Sequence, residues 1–428
     1  MSDGGPTETL RRAGGWALPH NRWDLIADER PAALPTVSVV IAHYAQPREL
    51  ARTLLALERQ DYPRELVEIV VADDGSPEPP RVAGNVRVVT QPDRGFRVAA
   101  ARNRGVEATH NEVLVFLDAD TSPEPDYLRH IVRLPSLTWD AVTVGRRRHA
   151  DFASVSPSAA IPDAGRAHEV DEPAWLREAY AGTNNLLDAD HRVYRFVIGA
   201  VVACTRRFFD EVGGFDESFS RYGGEDWEWA YRAWLRGAVL AHVPEAVAWH
   251  DGPDRAVREP GALGAKNAEV LALADLIPVD GSRPRAMTAA KADIVITGPR
   301  ASGTEGQLFV SRDSALAELP SAEIASDRWN THGRFDRVRI RVELDRPVRV
   351  APGGLADALA AVESGEYARV VLRQSDGTRL LRLVSTRAEA RQNRWGGDPL
   401  LPDLELVDPG VIALDAEVDL EGYLGGWA

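Results

Sequence analysis

Three short acidic runs in this 428-residue chain have the residue types and spacing for chemistry. Asp118-Ala119-Asp120 follows the apolar run Val113 to Leu117. Two carboxylates flanking one residue at a strand end can share a hard divalent cation, which takes oxygen ligands. Acidic residues also simply end strands, and Thr121-Ser122-Pro123 after them fits a turn. Asp73-Asp74-Gly75-Ser76 follows a second apolar run, Leu66 to Val71. A carboxylate there can accept a hydrogen bond from a base N–H, such as N3 of uracil, although Asp-Gly is equally a turn dipeptide. Gly223-Gly224-Glu225-Asp226 opens a helical stretch, where acidic groups suit the N-terminal dipole. A carboxylate at that point can act as a general base if an acceptor hydroxyl reaches it, and both Glu225 and Asp226 qualify.

Other residues of suitable type surround these runs. His43 and Tyr44 end the first apolar run, and Tyr44 offers either a flat face for a base or a rim aromatic. Arg94, Arg97, Arg102 and Arg104 gather guanidinium groups near one helix. Their fork geometry suits bidentate phosphate recognition, while a solvated helix face explains Arg104 equally well. His250, in Trp249-His250-Asp251-Gly252, is either a further metal ligand or a packed structural histidine. Trp227, Tyr231 and Trp234 fall at i, i+4 and i+7, the spacing of a core stripe or of a sugar platform.

The elements that must position these groups follow from the pattern. Val37 to Ile41, Leu66 to Val71, Val86 to Thr90 and Val113 to Leu117 read as short buried strands. Between them, Pro47 opens a helix with Leu50, Leu54 and Leu57 on one face, and Arg97 to Ala108 is alanine-rich and helical. Strands alternating with helices predict a largely parallel α/β sheet. Ligands bind outside the carboxyl ends of such strands, so His43-Tyr44, Asp73-Asp74 and Asp118-Ala119-Asp120 are expected to meet on one sheet edge. After about residue 280 the texture changes to Ile294 to Ile296, Leu308 to Val310, Val338 to Leu344 and Val370 to Leu372, read as strands, with a helical piece around Leu355 to Val362. The expected organisation is an N-terminal extension over 1–33, a catalytic domain over 34–279 and a smaller β-rich domain over 280–428.

Composition excludes several classes. Lysine and arginine number 50 against 65 aspartates and glutamates, a net charge of −15, which argues against nucleic acid or an anionic membrane as a partner. A single cysteine, Cys204, rules out an internal disulfide framework and a CxxC zinc site. No run approaches the ~20 apolar residues of a transmembrane helix. The start, Met1 to Pro6, lacks a basic region leading into an apolar one, so a cytoplasmic protein is the expectation.

Taken together, residues 35–250 resemble the inverting family 2 glycosyltransferases of GT-A fold. The resemblance rests on Val37-Ser38-Val39-Val40-Ile41, Val70 to Ser76, Ala101-Arg102-Asn103-Arg104-Gly105, Phe116 to Asp120, Gly213-Gly214-Phe215-Asp216-Glu217 and Gly224-Glu225-Asp226. It implies a Rossmann-like catalytic domain that takes a nucleotide-sugar donor, a UDP-sugar, and a carbohydrate or other hydroxyl acceptor. Asp73 is then expected at the uracil. His43, Tyr44, Asp74, Arg94, Arg102 and Ala119 line the donor, Asp118 stands near the ribose, and Asp120 with His250 holds Mn²⁺ or Mg²⁺. Asp226 is the expected base, with Glu225 as the alternative. The chain departs from the family in having Ala45 after Tyr44 and in lacking a QxxRW motif after Asp226; Arg391 to Trp395 is only an echo of it. A soluble, non-processive enzyme is therefore expected. A nucleotidyltransferase needs a glycine-rich loop where His43-Tyr44-Ala45-Gln46-Pro47 stands, and an inactive carbohydrate-binding protein on the same fold would not need every acidic residue present.

Overall fold

The computed structural model describes residues 10–253, 262–279, 281–282, 286–299, 303–325 and 333–425. The chain divides into two compact units, Met1–Trp234 with Ala238–Leu273, and Leu235–Gly237 with Ala274–Ala428.

The first unit is built on β1, Val37–His43, which is buried along its whole length. Such a continuous apolar strand needs cover on both faces and a partner on both edges. It pairs in parallel with β2, Val67–Asp73, on one side and with β4, Val113–Asp118, on the other. A third parallel strand, β3, Val86–Thr90, flanks β2. His43 lies opposite Asp73 and Ala42 opposite Asp118, so three strand ends finish side by side, as expected. Helix α1, Pro47–Glu58, starts on its proline and buries Leu50, Ala56 and Leu57. Helix α2, Val98–Glu107, lies against β1 so closely that a Cβ on Gly105 would fall 2.5 Å from Val40 Cγ1.

Beyond β4 the sheet changes direction. In spatial order the main path is β3-β2-β1-β4-β7-β6-β8-β5, where β5 is Thr121–Pro123, β6 Ala141–Ala150, β7 Val201–Thr205 and β8 Val239–Asp251. Strand β7 is antiparallel to both β4 and β6, while β6 and β8 run parallel. The short β5 pairs antiparallel with the end of β8, placing Thr121 opposite His250. Helix α3, Glu225–Leu235, precedes β8 and buries Tyr231 and Trp234 in the core. Trp227 is only half-buried, with the Lys266 ammonium 5.1 Å from its ring centroid. Near the N-terminus, Leu10, Leu18 and Ile26 pack with Leu134, Leu137 and Val239, and Trp16 and Trp23 lean on that cluster.

The second unit has a six-stranded sheet with interleaved helices. Its order is β10-β9-β11-β13-β12-β14, where β9 is Ile294–Thr297, β10 Ala322–Ile324, β11 Ile340–Leu344, β12 Arg369–Arg373, β13 Arg379–Ser385 and β14 Asp403–Val407. The helical piece expected around Leu355 to Val362 is Ala356–Glu363. Leu308 to Val310, read from sequence as a strand, instead lies in α4, Glu305–Glu318. A capping box decides it: Thr304 accepts from the Gln307 N–H while the Gln307 side chain accepts from the Thr304 N–H. Helical spacing then buries Val310 and leaves Phe309 exposed, so three adjacent apolar residues were a misleading strand signal. Among the described residues no helix is long and apolar enough to cross a membrane.

Candidate active site

The ends of β1 and β2 are cross-linked by side chains. His43 Nδ1 lies 2.9 Å from Asp73 Oδ1, the same oxygen accepts from the Ser76 hydroxyl, and Asp73 Oδ2 accepts from the Ser76 N–H at 3.2 Å. Ser76 Oγ in turn accepts from the Ala45 N–H at 2.8 Å, tying the loop after β1 to the turn after β2. Asp73 is only 1 % exposed, and both its oxygens are engaged inside the protein. A carboxylate buried at a sheet edge needs internal donors, and the Asp-Asp-Gly-Ser turn supplies them to Asp73, the residue expected at the uracil. Asp74 is likewise buried and accepts from the Arg97 N–H at 2.7 Å and from the Gln91 amide at 2.5 Å. Burial raises its pKa above the ordinary carboxylate value, against the pull of those donors. Tyr44 stands open at the rim, its hydroxyl 3.4 Å from Asp93, whose charge pushes the phenol pKa up. Arg94 is exposed on the loop leading to α2.

A second cluster lies beside the first. Arg102, on α2, donates from Nη2 to Asp118 Oδ1 and from Nη1 to Glu225 Oε1, both at 2.8 Å. Its guanidinium carbon lies 5.5 Å from the centroid of Phe215, whose backbone N–H and carbonyl are both held by the Asn103 side chain at 2.9 Å. Arg102 is 3 % exposed, so it is a buried clasp between the end of β4 and the start of α3 rather than the open phosphate-reading arginine its type suggested. The physical reason is the pair of carboxylates, of which the enclosed Glu225 would be costly to leave unpaired while Asp118 keeps partial solvent access. Gly199 passes close by, and a Cβ on it would sit 3.0 Å from Arg102 Nη1.

The two candidate bases differ sharply. Glu225 is buried, clasped through Oε1, with Oε2 making no hydrogen bond. Burial, then the neighbouring Asp226 charge, pushes its pKa up to about 7 against the opposing pull of Arg102. Asp226 is half-buried, accepting from the Gly199 N–H at 2.9 Å through Oδ2 and from the Trp227 N–H at 2.8 Å through Oδ1. Burial raises its pKa too, with Asp118 adding to the effect and the Gly199 N–H and Arg102 opposing it.

Asp120 and His250 meet at the β5–β8 junction, where the Asp251 N–H donates to the Asp120 carbonyl at 2.9 Å. His250 Nε2 lies 3.6 Å from Asp120 Oδ2, too long for a good hydrogen bond. Its Nδ1 lies 3.1 Å from the Gly252 carbonyl oxygen, an acceptor, so Nδ1 carries the proton. In the neutral ring this leaves the Nε2 lone pair facing a carboxylate oxygen, the tautomer a metal-ligating histidine adopts. Asp120 Oδ2 is further oriented by the Gln46 amide at 3.0 Å. Both groups line a cavity of about 380 Å³, together with Gln46, Arg48, Glu49 and Asp251. Two acceptor atoms of this type, facing each other across a space open to solvent, fit a divalent cation. Among the described residues no group of three or more His, Cys, Asp or Glu is placed to hold a metal, so the protein offers two donors here rather than a full cage. Ala119, between the two aspartates, is fully buried; its N–H donates to Ala42 and its carbonyl accepts from Thr53 Oγ1, fixing the strand end.

Several contributors were not singled out from sequence. Gln46 acts through one side-chain hydrogen bond to Asp120 and Gly199 through its backbone, and nothing in their local sequence announces either, while Ser76 stood in a quoted motif without a role of its own. Phe215 lay in a quoted motif, but its place under Arg102 depends on Asn103, 112 residues away in sequence.

Residues 38–180 match the model of the family described as glycosyl transferase family 2, and residues 189–248 match that described as the N-terminal domain of galactosyltransferase. The chain is 29% identical over 269 residues to chondroitin synthase of Escherichia coli, covering 56% of this chain and 38% of that protein. It is 30% identical over 226 residues to validoxylamine A glucosyltransferase of Streptomyces hygroscopicus subsp. jinggangensis, covering 48% of this chain and 53% of that protein. Among solved structures, the mannosyltransferase PcManGT from Pyrobaculum calidifontis, in complex with GDP-Man and Mn²⁺, is similar at 19% identity and a TM-score of 0.39, over 58% of this chain and 74% of that one. The chain thus spans 38% and 53% of the lengths of the two curated relatives named.

Proposed function

We propose that the chain, whose residues 38–180 match the glycosyl transferase family 2 model, transfers a sugar from a nucleotide-sugar donor, a UDP-sugar, to a hydroxyl acceptor, with inversion at the anomeric carbon and without processive polymerisation. The observation that carries this reading is the Arg102 clasp. It holds Asp118, beside the Asp120–His250 pair, within one hydrogen-bonded unit with the Glu225-Asp226 start of α3. Inverting transfer needs donor-holding groups on one side of the sugar and a base on the other, and this unit fixes both relative to each other.

Asp120 and His250 are the proposed protein groups that would hold Mn²⁺ or Mg²⁺. When bound, the ion supplies charge stabilisation at the leaving diphosphate. Asp118 lies near the ribose, and Tyr44 and Arg94 offer the open face for base and phosphate. Asp73 and His43 act by setting the loop that carries Tyr44, Asp74 by holding Gln91 and the Arg97 N–H on either side of Arg94, and Ala119 by fixing the strand end between the two aspartates. Asp226 is the proposed general base: it is less enclosed than Glu225 and is not clasped by an arginine. Its raised pKa brings it closer to the working pH, where a general base is most effective. Glu225 then acts as a positioning residue, orienting Arg102. The proposal is tested by titrating UDP into the protein with and without Mn²⁺, then supplying a panel of UDP-sugars and measuring UDP release. Absence of metal-dependent UDP binding in folded protein overturns it.

A further inference from the structure

The loop after β1 and the carboxylate of Asp120 meet through one residue, Gln46, whose side chain and backbone face different groups. The side-chain Nε2 lies 3.0 Å from Asp120 Oδ2, and a carboxylate only accepts, so the amide donates. The Gln46 backbone N–H donates to His43 Nε2 at 3.3 Å. That ring nitrogen is therefore the acceptor, and the His43 proton sits on Nδ1, which donates to Asp73 Oδ1 at 2.9 Å. A continuous hydrogen-bonded series runs from Asp73 through His43 and Gln46 to Asp120, and so from the end of β2 to the cavity that His250 lines.

The turn that carries Gln46 is strained. Ala45 has a φ of 51°, in the left-handed region that a residue other than glycine rarely occupies. It is exposed, so burial of its methyl does not offset that cost. Two successive N–H groups hold the turn: that of Ala45 donates to Ser76 Oγ at 2.8 Å, and that of Gln46 to His43. Ser76 is itself anchored on Asp73 by its hydroxyl and its N–H. Backbone kept in a rare conformation by its surroundings is a mark of functional sites. Here the result is the direction of the Gln46 side chain.

That direction matters for Asp120. Its Oδ2 is the oxygen that faces His250 Nε2, 3.6 Å away. A carboxylate oxygen has two acceptor positions, so the amide takes one and leaves the other for a cation. The other oxygen, Oδ1, has the Thr121 hydroxyl at 3.4 Å, too long to fix the rotation of the carboxylate. Gln46 is thus the group that orients it, and hydrogen bonds of this kind to a ligating side chain tune metal affinity.

We propose that Gln46 is a positioning residue through which the loop after β1, with its Ser76 anchor, sets the affinity of Asp120 and His250 for a divalent cation. The inference rests on the metal assignment of the glycosyl-transfer reading, and the test keeps the two apart. Mn²⁺ is titrated into the full chain and the free ion is followed by its electron paramagnetic resonance signal. Gln46→Ala keeps the N–H to His43 and the carbonyl that accepts from the Leu50 N–H. Its melting curve is therefore expected to match the wild type, while Mn²⁺ affinity falls about tenfold or more. Ser76→Ala removes the acceptor of the Ala45 N–H and is expected to weaken Mn²⁺ binding at least about twofold, although it lies on the β2 side of the loop. Ala45→Pro, at an exposed position, removes the donor of the same bond and replaces Ser76→Ala if the buried variant does not fold. In the Gln46→Ala background neither loop variant is expected to change Mn²⁺ affinity further, an outcome that a merely structural role for Gln46 does not produce. Unchanged affinity in Gln46→Ala, or loop variants that weaken binding equally with and without Gln46, overturns the inference. If Asp120→Ala loses Mn²⁺ and Gln46→Ala does not, only this inference fails. If Asp120→Ala binds Mn²⁺ as the wild type does, or the wild type takes up none, the metal assignment fails and this inference with it.

Discussion

Replacing Arg102 by methionine keeps most of the side-chain volume over Phe215 and removes the charge that joins Asp118 to Glu225. Both ion pairs are 2.8 Å long, and the arginine is almost fully enclosed. Removing one partner of a buried pair costs about 3–5 kcal/mol, mostly because the other charge is stranded. Glu225 is the stranded group, since Asp118 retains partial solvent access. The loss is expected to depend on pH with a defined sign. Glu225 has a folded-state pKa of about 7, above its ordinary 4.5, so the native state binds more protons than the unfolded one between these values. Its contribution is therefore most favourable at low pH and is lost as pH rises through about 7. Without Arg102 the folded pKa moves higher still, and the window of loss, which still opens at the ordinary value of 4.5, extends further upward. Urea unfolding followed by tryptophan fluorescence, with most of the eleven tryptophans before residue 250, is the assay. Arg102→Met is expected to be less stable by about 3–5 kcal/mol at high pH and to recover part of that loss in mildly acidic buffer. A loss below about 1 kcal/mol, the range of an exposed pair, or a loss unchanged by pH, would refute the clasp as a buried ionic unit.

Asp120→Ala is expected to abolish metal-dependent UDP binding while the melting curve stays close to wild type; unchanged affinity by calorimetry removes the ligand assignment. His250→Ala should weaken Mn²⁺ affinity if Nε2 is a ligand, whereas a lowered melting temperature with unchanged metal titration marks a packed core histidine. Asp226→Asn should lower kcat by about 10²–10⁴ with donor affinity retained, as removal of a general base does. The wild-type rate should fall on acidification as Asp226 takes up a proton at its raised pKa, and an inactive Glu225→Gln beside an active Asp226→Asn would reverse the assignment. Gly105→Ala places a methyl 2.5 Å from Val40 Cγ1 and should destabilise the first unit by about 1–3 kcal/mol, as overpacking does, despite the better helix propensity of alanine; a neutral change in urea unfolding speaks against that close approach.

The elements that carry the site were legible because their signals are local. Four apolar runs became the four neighbouring parallel strands, and the expected helix after Pro47 is Pro47–Glu58. The meeting of His43, Asp73 and Asp118 on one edge followed from parallel pairing alone. What could not be read was the destination of each polar group. Asp73 and Asp120 are the same residue type at similar strand ends, yet one is sealed by His43 and Ser76 while the other lines a cavity. Arg94 and Arg102 were equivalent as candidates, and only the three-dimensional placement of Glu225 and Phe215 distinguishes the buried one. Leu308 to Val310 was misread for a related reason: a run of three apolar residues has no period, and the capping box beside it outweighed it.

The pairing of β5 with the end of β8 has a consequence for how this unit comes into being. Asp120 and His250 stand next to each other only because Thr121 is opposite His250 in the ladder, and 130 residues separate the two in the chain. Contacts of such long sequence separation form late, after the entropy of closing the intervening loop has been met. On a ribosome the β1–β4 core can assemble while the chain still lacks its final strand. In that interval Asp120 has no imidazole beside it, and the carbonyl it offers to Asp251 is unmatched. Competence of the pair is thus coupled to closure of the last strand, and any ligand that bridges the two residues selects fully assembled molecules from partly folded ones and draws the folding equilibrium toward them by mass action.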